Sequence, residues 1–449
     1  MNTIRMTSDQ HSKLKDALLC REEESAVFLL AGVFENKSGV HFVVRDLLIP
    51  RDDDYEARTA YHIEVSPIFF NRAISLAEAN RVTIIQCHSH PFEEGQPGYS
   101  LSDNNGESIS SKTLYDCLNG VSMGSLLFGK NKVTGRAWLS PGKKPVPIDE
   151  LRIVDRHFRI RNLGAKQKSK IDVDVYERQI LAFGIKGQET LSTLKIGIVG
   201  LGGTGSSVAE QLAREGIENF VIIDHDKFQK SNKTRLYGSR HNDGNCNKTK
   251  IIKRNILQIQ PHAQVKTIET KITSERDLDA LKECDIVFGC TDRHMPRGLL
   301  SNFSHQYFIP VIDVGVGLDA QDGKLLGGTV RATLIAPTLP CLFCTGIVSP
   351  EKILAESLPE DERKKREVQG YITGLEDDAP SVINFTTMAA SFGLLLLKDL
   401  LFEIVDTAAN TISLDIVSFK TSRLAASVRQ DCVCQTRLGK GDRVRGGER

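Results

Sequence analysis

His88-Ser89-His90-Pro91, followed by Ser100-Leu101-Ser102-Asp103, is where residue type and spacing point most directly to chemistry. Two histidines one residue apart project from the same side of an extended strand, because side chains alternate with period two. Asp103, shortly downstream, can supply a third ligand. Two imidazoles, a carboxylate and an open fourth position describe a catalytic zinc site rather than a closed structural one. Water held at such a position ionises near neutral pH and becomes a nucleophile. A second stretch, Gly200-Leu201-Gly202-Gly203-Thr204-Gly205, lies between an apolar run and a helical one. Its backbone amides and the helix N-terminus can hold phosphate. Asp224 ends the next apolar run, where a carboxylate can bind a ribose hydroxyl. Those features alone would suit an NAD-dependent dehydrogenase. Asp226, Asn232, Arg235, Lys248 and Asp292 change the balance. An adenylating enzyme needs such a set: it must neutralise a triphosphate, hold magnesium and stabilise charge moving onto pyrophosphate.

These residues need elements to position them. Thr7-Ser8-Asp9 can cap a helix through Leu19. Apolar runs predict strands over 26–34 and 41–49, and helical spacing predicts a helix over 66–80. A strand over 81–90 leads into the histidines, and 125–128 and 136–139 read as closing strands. Pro141-Gly142-Lys143-Lys144-Pro145 is a break, and the basic, polar stretch over 149–171 reads as a linker with a solvated charged face. From Lys195 onward strands over 195–199, 220–223, 285–288 and 311–314 alternate with helical patterns such as 206–214, which predicts a mainly parallel, helix-covered sheet. The fold class is therefore α/β in both halves: a domain over 1–148, the linker, a domain over 172–436, and a basic flexible tail over 437–449.

Composition narrows the class. Lys plus Arg total 58 and Asp plus Glu 57, so no charge bias points to nucleic acid or a membrane surface. The polar N-terminus does not read as a leader, and the apolar stretch over 385–397 reads as a buried core helix too short to span a membrane. Six scattered single cysteines suit a reducing compartment, and a cytoplasmic protein is expected.

The array of His88, His90, Pro91, Ser100 and Asp103 resembles the JAMM (MPN-type) zinc metalloproteases. By that resemblance His88, His90 and Asp103 bind zinc, Ser100 helps hold the oxyanion, and a glutamate before the first apolar strand is the general base. Arg21-Glu22-Glu23-Glu24-Ser25 offers three; Glu24 is preferred and Glu23 stays open. Such enzymes cut after the C-terminal glycine of ubiquitin-like proteins. The second half, over 172–436, resembles the MoeB/ThiF adenylation domains, which implies a Rossmann-like, doubly wound fold using ATP and magnesium. The glycine loop (Gly200, Gly202, Gly203, Gly205) then holds phosphate, Asp224 the ribose, Asn232 and Arg235 phosphates, and Asp292 magnesium. Lys248 is the catalytic lysine, preferred to Lys250 for its distance to Pro261. Arg293 stands where the family usually has asparagine. Tyr176-Glu177-Arg178-Gln179-Ile180 matches a segment whose arginine reaches the opposite subunit's nucleotide, so Arg178 implies a homodimer.

Cys341-Leu342-Phe343-Cys344 and Cys432-Val433-Cys434 can form a four-thiolate structural zinc site, although the family more often has two residues between the second pair. Thioester-forming relatives carry a cysteine after the first pair. Here none lies between Thr345 and Asp431, and the crossover over 358–380 has Gly370-Tyr371-Ile372-Thr373-Gly374 instead. Cys246 and Cys290 read as ordinary loop or core thiols. The whole implies a fusion of peptidase and activating domain, as in bacterial ubiquitin-like conjugation systems, some linked to phage defence. One half would trim or release a ubiquitin-like protein, and the other would adenylate it for a conjugating enzyme or a sulfur donor. Sulfur-carrier activation and a non-catalytic binding scaffold are the rival readings.

Overall fold

A computed structural model describes residues 1–164, 171–359, 361–363, 365, 380–405 and 409–442. The chain divides into two compact units. One is built on 1–167 with 306–308 and the chain's end from 437, the other on 168–305 and 309–436.

The first unit is a nine-stranded mixed sheet. Its strands are β1 (Thr3–Met6), β2 (Ala26–Asn36), β3 (Gly39–Leu48), β6 (Thr83–His90), β7 (Met123–Gly129), β8 (Val133–Trp138), β9 (Val146–Pro147), β10 (Glu150–Val154) and β11 (Phe158–Asn162), in the order β11-β10-β1-β3-β2-β6-β7-β8-β9. A separate hairpin joins β4 (Tyr55–Arg58) to β5 (Ile63–Val65). Period-two alternation along β2 sorts its side chains between two cores. Val27, Leu29 and Ala31 meet Leu14 and Leu18 of α1 (Ser8–Leu19) on one face. Phe28 and Leu30 meet Phe69, Ala73 and Ala77 of α2 (Pro67–Asn80) and Leu114 of α3 (Leu101–Cys117) on the other.

Two expectations change here, and one strand was not foreseen. Residues 150–162 are not a linker: β10 runs parallel to β1 and β11 antiparallel to β10. Their arginines and lysines hid a strand pair whose buried positions are Leu151, Arg152, Val154 and Phe158. The N-terminus supplies β1, whose four residues are all buried between β3 and β10. Residues 437–442, expected in a flexible tail, belong to the first unit: Gly32 N donates to Gly439 O at 3.1 Å, and Arg45 Nη1 donates to Leu438 O at 2.7 Å. Residues 443–449 lie outside the described residues, as does most of the crossover, 366–379 included.

The second unit begins with α4 (Val173–Thr193), which bends at Gly184, where φ is +71°. Its eight strands are β12 (Lys195–Val199), β13 (Asn219–Ile223), β14 (Gln264–Ile268), β15 (Ile286–Gly289), β16 (Val311–Gln321), β17 (Lys324–Ile335), β18 (Thr411–Asp415) and β19 (Lys420–Leu424). The order is β14-β13-β12-β15-β16-β17-β18-β19. Strands β14 to β16 are parallel, and strand order reverses beside β12, the arrangement whose carboxyl-end crevice takes nucleotides. The expected parallel sheet is present as four parallel pairings, and β16 to β19 add an unforeseen antiparallel extension. Helices α5 (Gly203–Arg214) and α6 (Lys248–Ile259) cover the parallel part together with α7 (His294–Tyr307). The apolar helix Ile383–Phe402 is longer than the stretch over 385–397 read from the sequence, and by length and composition it could cross a membrane. It packs on α5, β16 and β17 with Ala389, Ala390, Gly393, Leu397 and Leu400 buried, which makes it a core helix.

Candidate functional site

The first candidate site grows out of β6. Ile84 on that strand faces α2 and α3, so His88 and His90, in step with it by period two, face the same side. The β2–β6 register pairs Ala26 with His88, and continuing it two residues sets Glu24 opposite His90. The hairpin fixes Glu24 in place: Glu24 N donates to Thr59 O at 2.9 Å and Arg58 Nε donates to Glu24 O at 3.1 Å. Asp103 arrives from the first turn of α3. Ser100 caps that helix, its Oγ accepting from Asp103 N at 3.1 Å while its own N–H donates to Asp103 Oδ2 at 2.7 Å. The Ser100 hydroxyl is used there as an acceptor, and its proton stays free for another partner.

The four side chains converge. His88 Nε2 lies 3.3 Å from Asp103 Oδ1, and His90 Nε2 lies 3.7 Å from Asp103 Oδ2 and 3.5 Å from Glu24 Oε1. Ligand atoms of His88, His90 and Asp103 all fall within 4.8 Å of one another. His88 Nε2 is buried and makes no aligned hydrogen bond among the described residues, although Asp103 is close enough to attract it. An orphaned buried nitrogen beside a second imidazole and a carboxylate fits a divalent metal with nitrogen and oxygen preference, zinc above all. Of the three glutamates, Glu22 and Glu23 are exposed, Glu23 sitting 3.8 Å from Arg58 Nε, and only Glu24 is buried against the cluster. Burial raises its carboxyl to about 7; Asp103 and Glu93 push the same way and His88 opposes them. Burial alone would also raise Asp103, but the His88 imidazole and the Ser100 cap outweigh it and hold that carboxyl below its usual range.

Motif reading missed what lies behind this cluster. Glu107, one buried carboxylate on α3, accepts from Arg136 Nε and Trp138 Nε1, both at 2.8 Å, and from Ser125 Oγ at 2.6 Å. It ties the helix bearing Asp103 to β7 and β8. Its one signal in sequence is position: Glu107 follows Asp103 by four residues, on the same helix face. Glu93 was missed as well: its Oε1 is 3.1 Å from His90 Nδ1.

The second candidate site lies at the carboxyl end of β12. Gly200 adopts φ +86°, and a Cβ on Gly205 would stand 1.8 Å from the Gly200 carbonyl oxygen, so both positions require glycine. Gly202 precedes α5 with no side-chain cap, and Gly203, the helix's first residue, packs on Thr386. That leaves first-turn amides for an anion. Asp224 is buried and anchors the loop, accepting from Leu201 N at 2.6 Å and Asp226 N at 2.7 Å. Lys248, the buried first residue of α6, donates to Asp226 Oδ2 at 2.7 Å, whereas Lys250 is exposed and 4.0 Å from Glu269. Burial would raise the Asp226 carboxyl, but Lys248 outweighs burial and holds it low. Asn232 is buried with its Oδ1 on Gln229 N at 3.0 Å, and Arg235 Nη1 donates to Ser231 O at 2.9 Å. Both brace their own turn rather than joining Lys248. Asp292 is exposed beyond β15, and Arg178 is exposed on α4.

The four paired cysteines do meet. Sγ atoms of Cys341 and Cys432 are 3.4 Å apart, those of Cys341 and Cys344 3.6 Å, and those of Cys344 and Cys434 3.9 Å. A tetrahedral zinc thiolate site has edges of about 3.8 Å, so the set fits that ion despite the shorter second spacing. Cys290 is half-buried and burial pushes its thiol up, which disfavours the thiolate.

Comparison with known proteins bears on the second unit. The ThiF family's model matches residues 176–435. That is more than half of the chain, and the chain belongs to the ThiF family. Molybdopterin-synthase adenylyltransferase of Haemophilus influenzae is 34% identical over 141 residues, which are 30% of this chain and 57% of that protein. Adenylyltransferase and sulfurtransferase MOCS3 of Dictyostelium discoideum is 30% identical over 133 residues, 29% of this chain and 31% of that protein. The chain thus spans little more than half the length of the first relative and about a third of the second. Among solved structures, E. coli MccB shares 21% identity over 63% of this chain and 76% of its own, with a TM-score of 0.47.

Proposed function

We propose that the chain is an adenylyltransferase for the C-terminal carboxylate of a ubiquitin-like or sulfur-carrier protein, fused to a JAMM-type zinc peptidase that acts on the same tail. The ThiF-family match around an open glycine loop, with Asp224 and Lys248 beside it, carries the first part. In the reaction a carboxylate oxygen attacks the α-phosphorus of ATP, the acyl–O–P bond forms, the α–β phosphoanhydride bond breaks and pyrophosphate leaves. The α5 N-terminus and Lys248 stabilise the phosphate charge, Asp224 binds the ribose, and Asn232, Arg235 and Asp292 complete the triphosphate and magnesium site. Arg178 would act across a homodimer. The acceptor is a thiol of a conjugating enzyme or a sulfur donor, because no cysteine lies between Thr345 and Asp431, where thioester-forming relatives carry one. The names of the relatives, one a molybdopterin-synthase adenylyltransferase and one a sulfurtransferase, favour the sulfur-carrier branch.

The convergence of His88, His90, Asp103 and Glu24 carries the second part. Zinc, when bound, supplies Lewis acidity at the scissile carbonyl. Glu24 takes and returns the proton, and the Ser100 hydroxyl donates to the developing oxyanion. Carrier-dependent ATP–pyrophosphate exchange tests the first activity, and its absence with every small ubiquitin-fold carrier tried would refute it. Release of a C-terminal extension from such a carrier tests the second. Glu24→Gln should keep zinc and lose cleavage; an unchanged rate would reassign the base.

A further inference from the structure

The imidazole of His90 has two nitrogens with two different neighbours. Nε2 points into the cluster, 3.7 Å from Asp103 and 3.5 Å from Glu24, while Nδ1 points away, 3.1 Å from Glu93 Oε1. A carboxylate can only accept, so this contact requires the proton on Nδ1 and leaves the Nε2 lone pair bare. That is the tautomer a metal ligand needs, and a second carboxylate on the far nitrogen also makes the ligating one more basic.

Glu93 is itself held rigidly. Its N–H donates to His90 O at 3.0 Å, and its own carbonyl accepts from Lys130 N at 2.9 Å. A Cβ on Gly129 would stand 2.9 Å from that carbonyl oxygen, so the β7–β8 turn admits the approach because residue 129 is glycine. The second carboxylate oxygen, Oε2, accepts from Gly98 N at 3.1 Å, two residues before the helix-capping Ser100. Phe92 stacks on the His90 ring with centroids 5.5 Å apart, closing one face of it. One side chain thus spans the loop between the strand that carries two ligands and the helix that carries the third.

We propose that Glu93 is a positioning residue of the metal site: it sets the His90 tautomer and holds the 91–99 loop so that Asp103 closes on the histidines. The proposal rests on the zinc-site reading above and deepens it.

The test uses the full chain and zinc ion alone. In metal-free protein, nitrogen NMR of His90 should report an Nδ1–H tautomer that becomes mixed in Glu93→Ala. Zinc affinity by chelator competition should fall about 10–100-fold in Glu93→Ala, as for loss of other outer-shell carboxylates. Glu93→Gln, which keeps an acceptor for Nδ1–H, should fall between the two. Should the alanine variant fail to fold, the glutamine variant carries the test, and affinity equal to wild type would overturn the proposal. Affinity and tautomer both unchanged in a folded Glu93→Ala would overturn it directly. If wild type binds no zinc that His88→Ala abolishes, the zinc-site reading itself fails, and this proposal with it.

Discussion

The two candidate sites differ in how their charges are satisfied. Around His88, His90, Asp103 and Glu24, two imidazoles and two carboxylates converge, and no lysine or arginine among the described residues is ion-paired with them. At the glycine loop, opposite charges have already paired, Lys248 with Asp226, while Asn232 and Arg235 close their own turn. The first arrangement is preorganised for a cation. The second pairs its lysine internally, and that contact must be exchanged for a triphosphate to engage Lys248. One unit holds an orphaned buried nitrogen, His88 Nε2, at its site; the other holds an ion pair, Lys248 with Asp226.

The sharpest way to break this contrast is Lys248→Ala, set against Lys250→Ala. Loss of a preorganised cation at the phosphates should cut carrier-dependent pyrophosphate exchange by about 10²–10³-fold. The exposed Lys250 should give a rate close to wild type, and zinc content should not move in either variant. The reverse pattern would mean that the Lys248–Asp226 pair is structural.

The choice between those lysines was not legible beyond spacing. Both lie in the same helical run, and burial against Asp226 separates them. The same holds for the glutamates. Three in a row look alike in sequence, and only the hairpin over Tyr55–Val65 turns Glu24 inward.

Breaking the frame of the first site gives the next largest effect. Glu107→Leu leaves Arg136 buried without its carboxylate partner and strips an acceptor from Trp138. Urea denaturation should report a loss of about 3–5 kcal/mol. A cost below about 1 kcal/mol would show that α3 is not pinned through this network.

The smallest expected effect is a pH dependence in the same unit. His41 is buried, its Nδ1 2.8 Å from Thr3 Oγ1; burial lowers its pKa to about 2, and nearby Arg5 and Arg152 add to that. The unfolded chain takes up a proton below the ordinary value of 6.5 and the folded one does not. Stability is therefore full above that value and falls as pH drops, by about 1.4 kcal/mol at one unit below it. Urea midpoints measured between pH 7.5 and 5.5 should show the slope, and His41→Asn should remove it. An unchanged slope would place the acid sensitivity elsewhere, with the metal cluster as the first suspect.

From its sequence alone this chain declared the residue types at both sites: a strand bearing His88 and His90, a helix start bearing Ser100 and Asp103, a glycine loop between strand and helix, and two close cysteine pairs. Such motifs are local. Period two or a strand–turn–helix is enough to place their side chains together, and the steric demand at Gly205 comes from Gly200 within the same loop. Tertiary structure alone decided that 3–6 and 150–162 are sheet and that β16 to β19 run antiparallel, and it added burial to the preference for Glu24 and Lys248 that position in the sequence had suggested. Those outcomes depend on burial, and burial is set by partners far along the chain. Thr3 pairs with His41 on one side and Glu150 on the other, and no window of neighbouring residues contains that information.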